Sequence, residues 1–272
     1  MSLDALVAQW LAEDGASSDL TTLAVVPAEA QASARILLKE RGVVCGLLEA
    51  AAVFSALGAE LRPLVAEGEL LEPQPVAEIS GPARGVLSGE RTALNVLGRL
   101  SGVATLTRSY VDAVAGSGAV ILDTRKTTPG LRALEKRAVA AGGGANHRRS
   151  LRDAPLIKDN HLLFAESLTE AVARAKAGDL PVEVECDTLA QVAEALDSGA
   201  ARILLDNMDL ETLEEAVALV AGRVPLEASG GVTLANVSAI ALTGVDFVSI
   251  GALTHSARSL DFSLEVHDAQ AQ

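Results

Sequence analysis

The chain has 272 residues, of which 49% are hydrophobic, enough to bury the core of one large domain or two modest ones. Aromatics make up only 2% and the formal net charge is −14, which excludes a stacking platform for single-stranded nucleic acid and argues against a nucleic-acid or anionic-membrane partner. The two cysteines, Cys45 and Cys186, have neither metal-ligand spacing nor a disulfide framework, as suits a reducing cytoplasm.

Met1–Gly15 reads as a short amphipathic helix. It lacks the basic and apolar regions of a signal peptide. No apolar stretch approaches the roughly 20 residues that span a bilayer. From Thr22 to Leu87 short β-like runs alternate with turns: Ala34–Lys39, Gly42–Cys45 (with Cys45 as core) and Pro75–Ile79. Pro27, Pro63, Pro73, Pro75 and Pro82 belong to edges and turns, and one helix falls within Leu48–Leu57, stopped by Gly58. This half reads as a small α/β sandwich.

A long helix follows over Ser88–Val114. Leu94, Leu97, Leu100, Val103 and Leu106 repeat at the spacing of a buried face, while Gly98 and Gly102 permit close packing or a kink. This stretch is the expected domain junction. From Ala119 strands and helices alternate, which means a parallel sheet. The strands are Ala119–Leu122, Pro155–Ile157, Val182–Val184, Arg202–Leu205, Pro225–Leu226 and Phe247–Ile250, and Gly142–Asn146 has room for a seventh. Ser167–Gly178, Thr188–Gly199, Leu210–Gly222 and Thr233–Gly244 read as amphipathic helices, with Thr188 and Thr233 as N-caps. Residues from Asp268 onward read as frayed.

Each of these apolar runs ends in polar chemistry: Asp123-Thr-Arg125-Lys126, Lys158-Asp-Asn-His161, Glu185, Asp206-Asn207, Ser229-Gly230-Gly231 and Gly251. Catalytic groups of (β/α) barrels sit at the C-terminal strand ends, so the succession points to an active-site face on a closed barrel in preference to an open sheet. Nine basic and four acidic residues lie between Asp123 and Asn160, in a chain that is acidic overall. Arg132, Lys136, Arg137, Arg149 and Arg152 read as a solvated helix face. Arg125, Lys126 and Lys158, joined by Arg148 through a Gly-rich loop, would converge on one cavity. Clustered cations repel unless a polyanion fills the site, and Arg forks fit carboxylates and phosphates. The residues therefore imply a small polyanionic substrate. The glycine loops after the last strands suit a phosphate. Glu185 and Asp206 either bridge to the basic cluster or help hold Mg2+ alongside substrate phosphates. No three-His or Cys/His set suggests zinc, and neither His147 nor His161 is assigned as a general base.

Asp123-Thr-Arg-Lys-Thr-Thr-Pro-Gly-Leu-Arg132, Gly142-Gly-Gly-Ala-Asn-His-Arg148 and Ile157-Lys-Asp-Asn-His161 resemble the core of the quinolinate phosphoribosyltransferases. Glu90-Arg-Thr-Ala-Leu-Asn95, Ser101-Gly-Val-Ala-Thr105, Glu183-Val-Glu185, Leu205-Asp-Asn207, Ser229-Gly-Gly231 and Ser249-Ile-Gly251 continue the likeness in order over nearly the whole chain. The resemblance implies an N-terminal α/β sandwich, residues 1–103 joined by a tail at about 258–272, and a partly open parallel α/β barrel of about seven strands at 104–257. It implies a cytoplasmic homodimer, or an assembly of dimers, in which Arg91 reaches the neighbouring site. Arg91, Arg125, Arg148 and Lys158 would hold the quinolinate carboxylates with His147 nearby. Lys126, Glu185 and Asp206 would handle phosphoribosyl pyrophosphate and its Mg2+, and Ser229, Gly230, Gly231 and Gly251 the 5-phosphate. The implied reaction is phosphoribosyl transfer to quinolinate with decarboxylation. Ser17-Ser18-Asp19-Leu20-Thr21-Thr22 has Ser where Gly usually precedes the Asp in the family, and Ser150 replaces a usual Gly after Asn-His-Arg. Three competing readings are a phosphoribosyltransferase for nicotinate or another acceptor, an aldolase with a Schiff base on Lys158, and a non-catalytic anion-binding relative.

Overall fold

The computed structural model describes residues 2–270, in two compact units: one runs to Leu106 and resumes at Ala257, the other is Thr107–Ser256. The first unit is built on β1 (Gln31–Leu38), whose alternate residues Ala32, Ala34, Ile36 and Leu38 are buried as the two-residue period of a strand requires. It lies in an antiparallel sheet of order β12-β1-β5-β3, with β3 at Glu60–Pro63, β5 at Gln74–Pro82 and β12 at Phe262–Gln270. A smaller pair joins β2 (Gly42–Val43) to β4 (Leu70–Leu71). Helices α1 (Leu3–Asp14), α2 (Leu20–Val25) and α3 (Leu47–Ala56) belong to this unit. Its core gathers Ile36, Phe54, Val76 and Ile79 with Leu97, all essentially without exposure. Cys45 is buried as expected.

Two expectations change here. The long helix α4 covers Ala83–Ala113 and starts directly from β5 instead of at Ser88. The C-terminal residues are not frayed from Asp268: Asp268 pairs with Ser33 and Gln270 with Gln31, while residues 271 and 272 lie outside the described residues. The polar run after Val266 gives no apolar signal, so the strand there rests on backbone pairing to β1. The close packing expected at Gly102 is present, because a Cβ there would fall 1.9 Å from the Arg258 carbonyl oxygen.

The second unit holds six parallel strands in the order β6-β11-β10-β9-β8-β7. They are β6 (Val120–Leu122), β7 (Leu156–Ile157), β8 (Glu183–Cys186), β9 (Arg202–Asp206), β10 (Leu226–Ser229) and β11 (Phe247–Ser249). The first strand pairs with the last, as in a barrel, so the seam falls between β6 and β7. The seventh strand sought at Gly142–Asn146 shrinks to a single parallel bridge, Leu122 to Ala145. The barrel is thus partly open, with six strands and one bridge. Its helices are α5 (Arg132–Ala141), α6 (Asp159–Leu162), α7 (Leu168–Lys176), α8 (Leu189–Asp197), α9 (Leu210–Val220), α10 (Val237–Leu242) and α11 (Ala252–His255). Thr188 caps α8 in a capping box with Gln191. Thr233 does not cap α10: its N–H is taken by Asn236 Oδ1 at 2.7 Å in a turn, and the helix begins only at Val237. No described helix is long and apolar enough to cross a membrane.

Candidate active site

A cavity of about 400 Å³ opens at the C-terminal ends of the barrel strands. Each lining residue is there because its strand ends there. Arg125 and Lys126 follow β6, His147 and Arg148 follow the Ala145 bridge, and Lys158 follows β7. Glu185, Asp206 and Ser229 lie near or at the ends of β8, β9 and β10. Gly230 and Gly231 continue the loop after Ser229. Gly230 sits at φ +95°, and a Cβ there would fall 2.1 Å from Asn207 Oδ1, so only glycine lets the two loops meet. Gly251 lies against the Lys126 stem, and Thr254 Oγ1 donates to the Lys126 carbonyl at 2.8 Å. The helix read from Thr233 after the glycine loop begins only at Val237. Arg91 stands apart from the cavity-lining set: it is an exposed residue of α4 in the first unit, 3.9 Å from Glu90.

The cavity mixes both charge signs. Arg148 donates from Nη1 to the Ala154 carbonyl at 2.9 Å, and burial, with the Arg125 charge beside it, holds its pKa below the usual guanidinium value. Arg125 Nε is buried with no hydrogen-bond partner. A desolvated donor of that kind, next to further cations, favours an anionic ligand. Lys158 Nζ donates to the Glu185 carboxylate, which offsets one of the cations. Asp206 accepts from Asn207 Nδ2 at 2.7 Å. Asn207 itself has φ 54°, a strained conformation that Asn tolerates better than most residues, and its N–H donates to the Ser229 carbonyl at 2.9 Å. His161 serves its own loop by accepting the Lys158 N–H on Nδ1 at 2.9 Å.

Beneath these groups lies a polar layer that sequence reasoning missed or misassigned. Lys136 is not on a solvated face: its side chain is 1% exposed and Nζ is paired with Asp123, itself fully buried. Lys136 also donates to the His147 carbonyl at 2.9 Å, and the His147 N–H donates to Asp123 at 2.9 Å. Asn146 Nδ2 donates to Asp123 at 2.8 Å. Desolvation pushes Asp123 up and Lys136 down, each partly opposed by the other's charge. On its other side His147 meets Glu183 at 3.2 Å and Glu227 at 3.5 Å from Nε2, and Arg202 meets Glu227 at 3.2 Å. The Arg202 guanidinium also stacks 3.9 Å over the Phe247 ring. Burial, reinforced by Glu183, pushes Glu227 up to about 7. Burial alone would lower His147, but Glu183 and Glu227 together outweigh it and raise the imidazole above its usual value. A signal for this layer was present: Glu183 is two residues from Glu185, and Glu227, which lines the cavity itself, is two from Ser229, so each shares a strand face with a cavity residue.

The donor atoms of His147, Glu183 and Glu227 lie within 4.8 Å of one another, close enough to hold a metal. Arg202 supplies positive charge to Glu227, while Glu183 Oε1 and Glu227 Oε1 are buried without a hydrogen-bond partner. Glu185 and Asp206 also line the cavity and offer only oxygen, the donor chemistry a hard divalent ion takes.

Residues 103–265 match the family described as quinolinate phosphoribosyl transferase, C-terminal domain, and residues 19–101 match the corresponding N-terminal domain. The chain is 45% identical over 258 residues to the nicotinate-nucleotide pyrophosphorylase (carboxylating) of Mycobacterium leprae, covering 91% of each chain. It is 43% identical over 273 residues to a probable nicotinate-nucleotide pyrophosphorylase (carboxylating) of Synechocystis, covering 97% of this chain and 92% of that one. The crystal structure of NadC from Streptococcus pyogenes superposes with a TM-score of 0.93 at 41% identity, covering 98% of this chain and 97% of that chain.

Proposed function

This chain belongs to the quinolinate phosphoribosyltransferase family, and on that premise we propose that it transfers phosphoribosyl from phosphoribosyl pyrophosphate to quinolinate with loss of CO2, giving nicotinate mononucleotide and pyrophosphate. The observation that carries this reading is the convergence of Arg125, Lys126, Arg148 and Lys158 with Glu185 and Asp206 on one cavity. Both substrates are polyanions, and a cation-rich pocket with an unpartnered Arg125 Nε is built for such ligands.

In this reading Arg125, Arg148 and Lys158 hold the quinolinate carboxylates, with Arg91 delivered from the second protomer of a homodimer. Ser229, Gly230, Gly231 and Gly251 hold the 5-phosphate. The pyridine nitrogen attacks C1 of the ribose as pyrophosphate leaves. Lys126, which lines the cavity, offsets the charge gathering on the leaving group in this reading. No protein nucleophile is required; the protein's work is to hold two anions together in a reactive orientation, which can be worth roughly 7–11 kcal/mol. Once the ring nitrogen is quaternary, the adjacent carboxylate leaves as CO2, the ring stabilises the carbanion left at C2, and a proton from water replaces the lost carboxylate there. Glu185 and Asp206 are oxygen donors facing the cavity and fit Mg2+, directly or through water. When bound, Mg2+ would neutralise charge on the pyrophosphate.

The proposal also takes residues 1–103 with the 258–272 tail as the sandwich domain, 104–257 as the transferase barrel, and the cytoplasm as the compartment. The division of the structure at Leu106 and Ala257 supports the first two, and two thiols buried without a disulfide fit the third. An aldolase reading is disfavoured because Lys158 Nζ is engaged by Glu185 instead of being open to a carbonyl.

Purified protein with Mg2+, phosphoribosyl pyrophosphate and quinolinate should yield nicotinate mononucleotide and CO2, with none after EDTA. Product from nicotinate and none from quinolinate would move the chain to the neighbouring activity; no product from either acceptor would overturn the proposal.

A further inference from the structure

We propose that Glu227 and Glu183 are positioning residues that act through His147, holding its imidazole as the Nε2–H tautomer so that the ring meets the acceptor with carbon, not with a hydrogen-bonding nitrogen. This rests on the reaction proposed above only for its kinetic consequence; the geometry is a property of the free protein.

Both ring nitrogens are already committed. Nδ1 accepts the Arg148 N–H at 2.7 Å, which leaves that nitrogen without a proton. The ring proton therefore sits on Nε2, which is directed at the Glu183 and Glu227 carboxylates. His147 lines the cavity, so what remains for a ligand is the ring face and its carbon edge. The backbone at this point is fixed as well, by the Lys136 and Asp123 contacts to the His147 carbonyl and N–H.

The groups facing the ring come from each strand packed against it. Glu183 stands on β8, Arg202 on β9 and Glu227 on β10, and Ser249 of β11 hydrogen-bonds Glu227. Arg202 ties down Glu227, so the acceptor of the Nε2 proton is itself held from the far side. This is a chain, Arg202 to Glu227 to His147, that ends at the wall of the cavity. Such a chain sets the direction of the ring and, through the Arg148 N–H on Nδ1, couples it to the segment carrying the Arg148 guanidinium. In a polyanion site a ring free to flip would offer a lone pair toward the acceptor carboxylates, and the chain prevents that. A displacement of about 1 Å in such a positioned group can cost on the order of 100-fold in rate.

The first test needs no variant to be active. The chain has only four histidines, so ring nitrogens in an ¹⁵N-labelled sample can be resolved and His147 assigned by its loss in His147→Asn. At a pH high enough for the ring to be neutral, the expected spectrum gives a protonated Nε2 and an unprotonated Nδ1; a neutral ring with its proton on Nδ1 overturns the proposal whatever the activity. The kinetic test is a cycle. Glu227→Ala is expected to raise the KM for quinolinate about tenfold, with a smaller change for phosphoribosyl pyrophosphate. Glu227→Gln, which keeps an acceptor oxygen, should recover most of that loss. In a His147→Ala background Glu227→Ala should add almost nothing, as expected for residues acting through one another. Additive losses in the two backgrounds, or no recovery by Gln, would make Glu227 merely structural. Absence of quinolinate transfer in the wild type would overturn the proposed reaction and leave the tautomer measurement standing.

Discussion

Lys158 Nζ donates to the Glu185 carboxylate across the ends of two neighbouring parallel strands, β7 and β8. The pair joins the cation proposed for quinolinate to a carboxylate proposed for the phosphoribosyl donor and Mg2+. In the free protein the two therefore neutralise each other, and quinolinate must compete with Glu185 for Lys158. Glu185→Gln removes the competitor. Quinolinate should then bind about fivefold tighter, the equivalent of ~1 kcal/mol for a partly exposed ion pair, while turnover falls. Calorimetric titration of quinolinate into the variant checks this. Unchanged or weaker binding would mean that Lys158 is not shared between the two roles.

Lys126 is exposed at the cavity wall, supported from behind by Thr254 on its carbonyl. A cation whose value lies in the leaving group should matter most in the transition state. Lys126→Ala is expected to lower kcat by on the order of 100-fold, the scale of removing one preorganised charge partner, with quinolinate affinity changed far less. Turnover equal to the wild type would remove Lys126 from the chemistry.

Arg91 is a solvent-facing residue of α4 and lies outside the cavity-lining set. Arg91→Ala should abolish activity if the residue serves a second protomer. Mixing that variant with a protein inactivated at Lys126 should then restore a fraction of it, because one of the two sites in a mixed dimer carries both intact residues. Subunit exchange verified by mass, with no recovered activity, would count against a shared site.

Lys136 is held in the interior by Asp123, and its removal strands a buried carboxylate. Lys136→Met should destabilise the protein by about 3–5 kcal/mol, the range for breaking one side of a buried pair. Urea unfolding followed by circular dichroism would measure the loss. A change below about 1 kcal/mol would mean that the donors Asp123 already has in Asn146 and the His147 N–H suffice without the lysine.

The barrel was legible because its apolar runs are short, regularly spaced and separated by amphipathic helices; all six strands fall where those runs lie. The residues at their ends were legible for the same reason, since a strand that leaves the core must expose whatever follows it. The Lys136 reading failed because helix α5 turns one cation inward, and composition gives no means of separating that lysine from Arg132 or Arg137. Glu183 and Glu227 were passed over in favour of the residues after them, although strand alternation turns them to the same face. Thr233 looked like a cap because Thr followed by a helix-length run is a common pattern, but residues 233–236 form a turn closed by Asn236 and the helix begins only at Val237. The missing length of the seventh strand has a similar cause: glycines at 142–144 favour a loop, and only Ala145 makes the bridge.

Glu227 also gives the fold a pH signature. Burial and the neighbouring Glu183 raise its carboxyl from 4.5 to about 7. A carboxyl held above its unfolded value stabilises the folded state fully below the unfolded pKa, and that contribution disappears as pH rises through the folded one. The loss therefore spans roughly 4.5 to 7. His147, raised above 6.5, adds a loss of the same sign at higher pH. Glu227→Gln stays neutral throughout and mimics the protonated carboxyl. Its stability relative to the wild type should therefore climb between about pH 5 and about pH 8, the direction set by proton release from the folded protein. Thermal unfolding of the two proteins side by side across that range reads the difference directly. A gap that stays constant with pH would mean that Glu227 is ionised throughout the range, with Arg202 and His147 able to stabilise its charge in full.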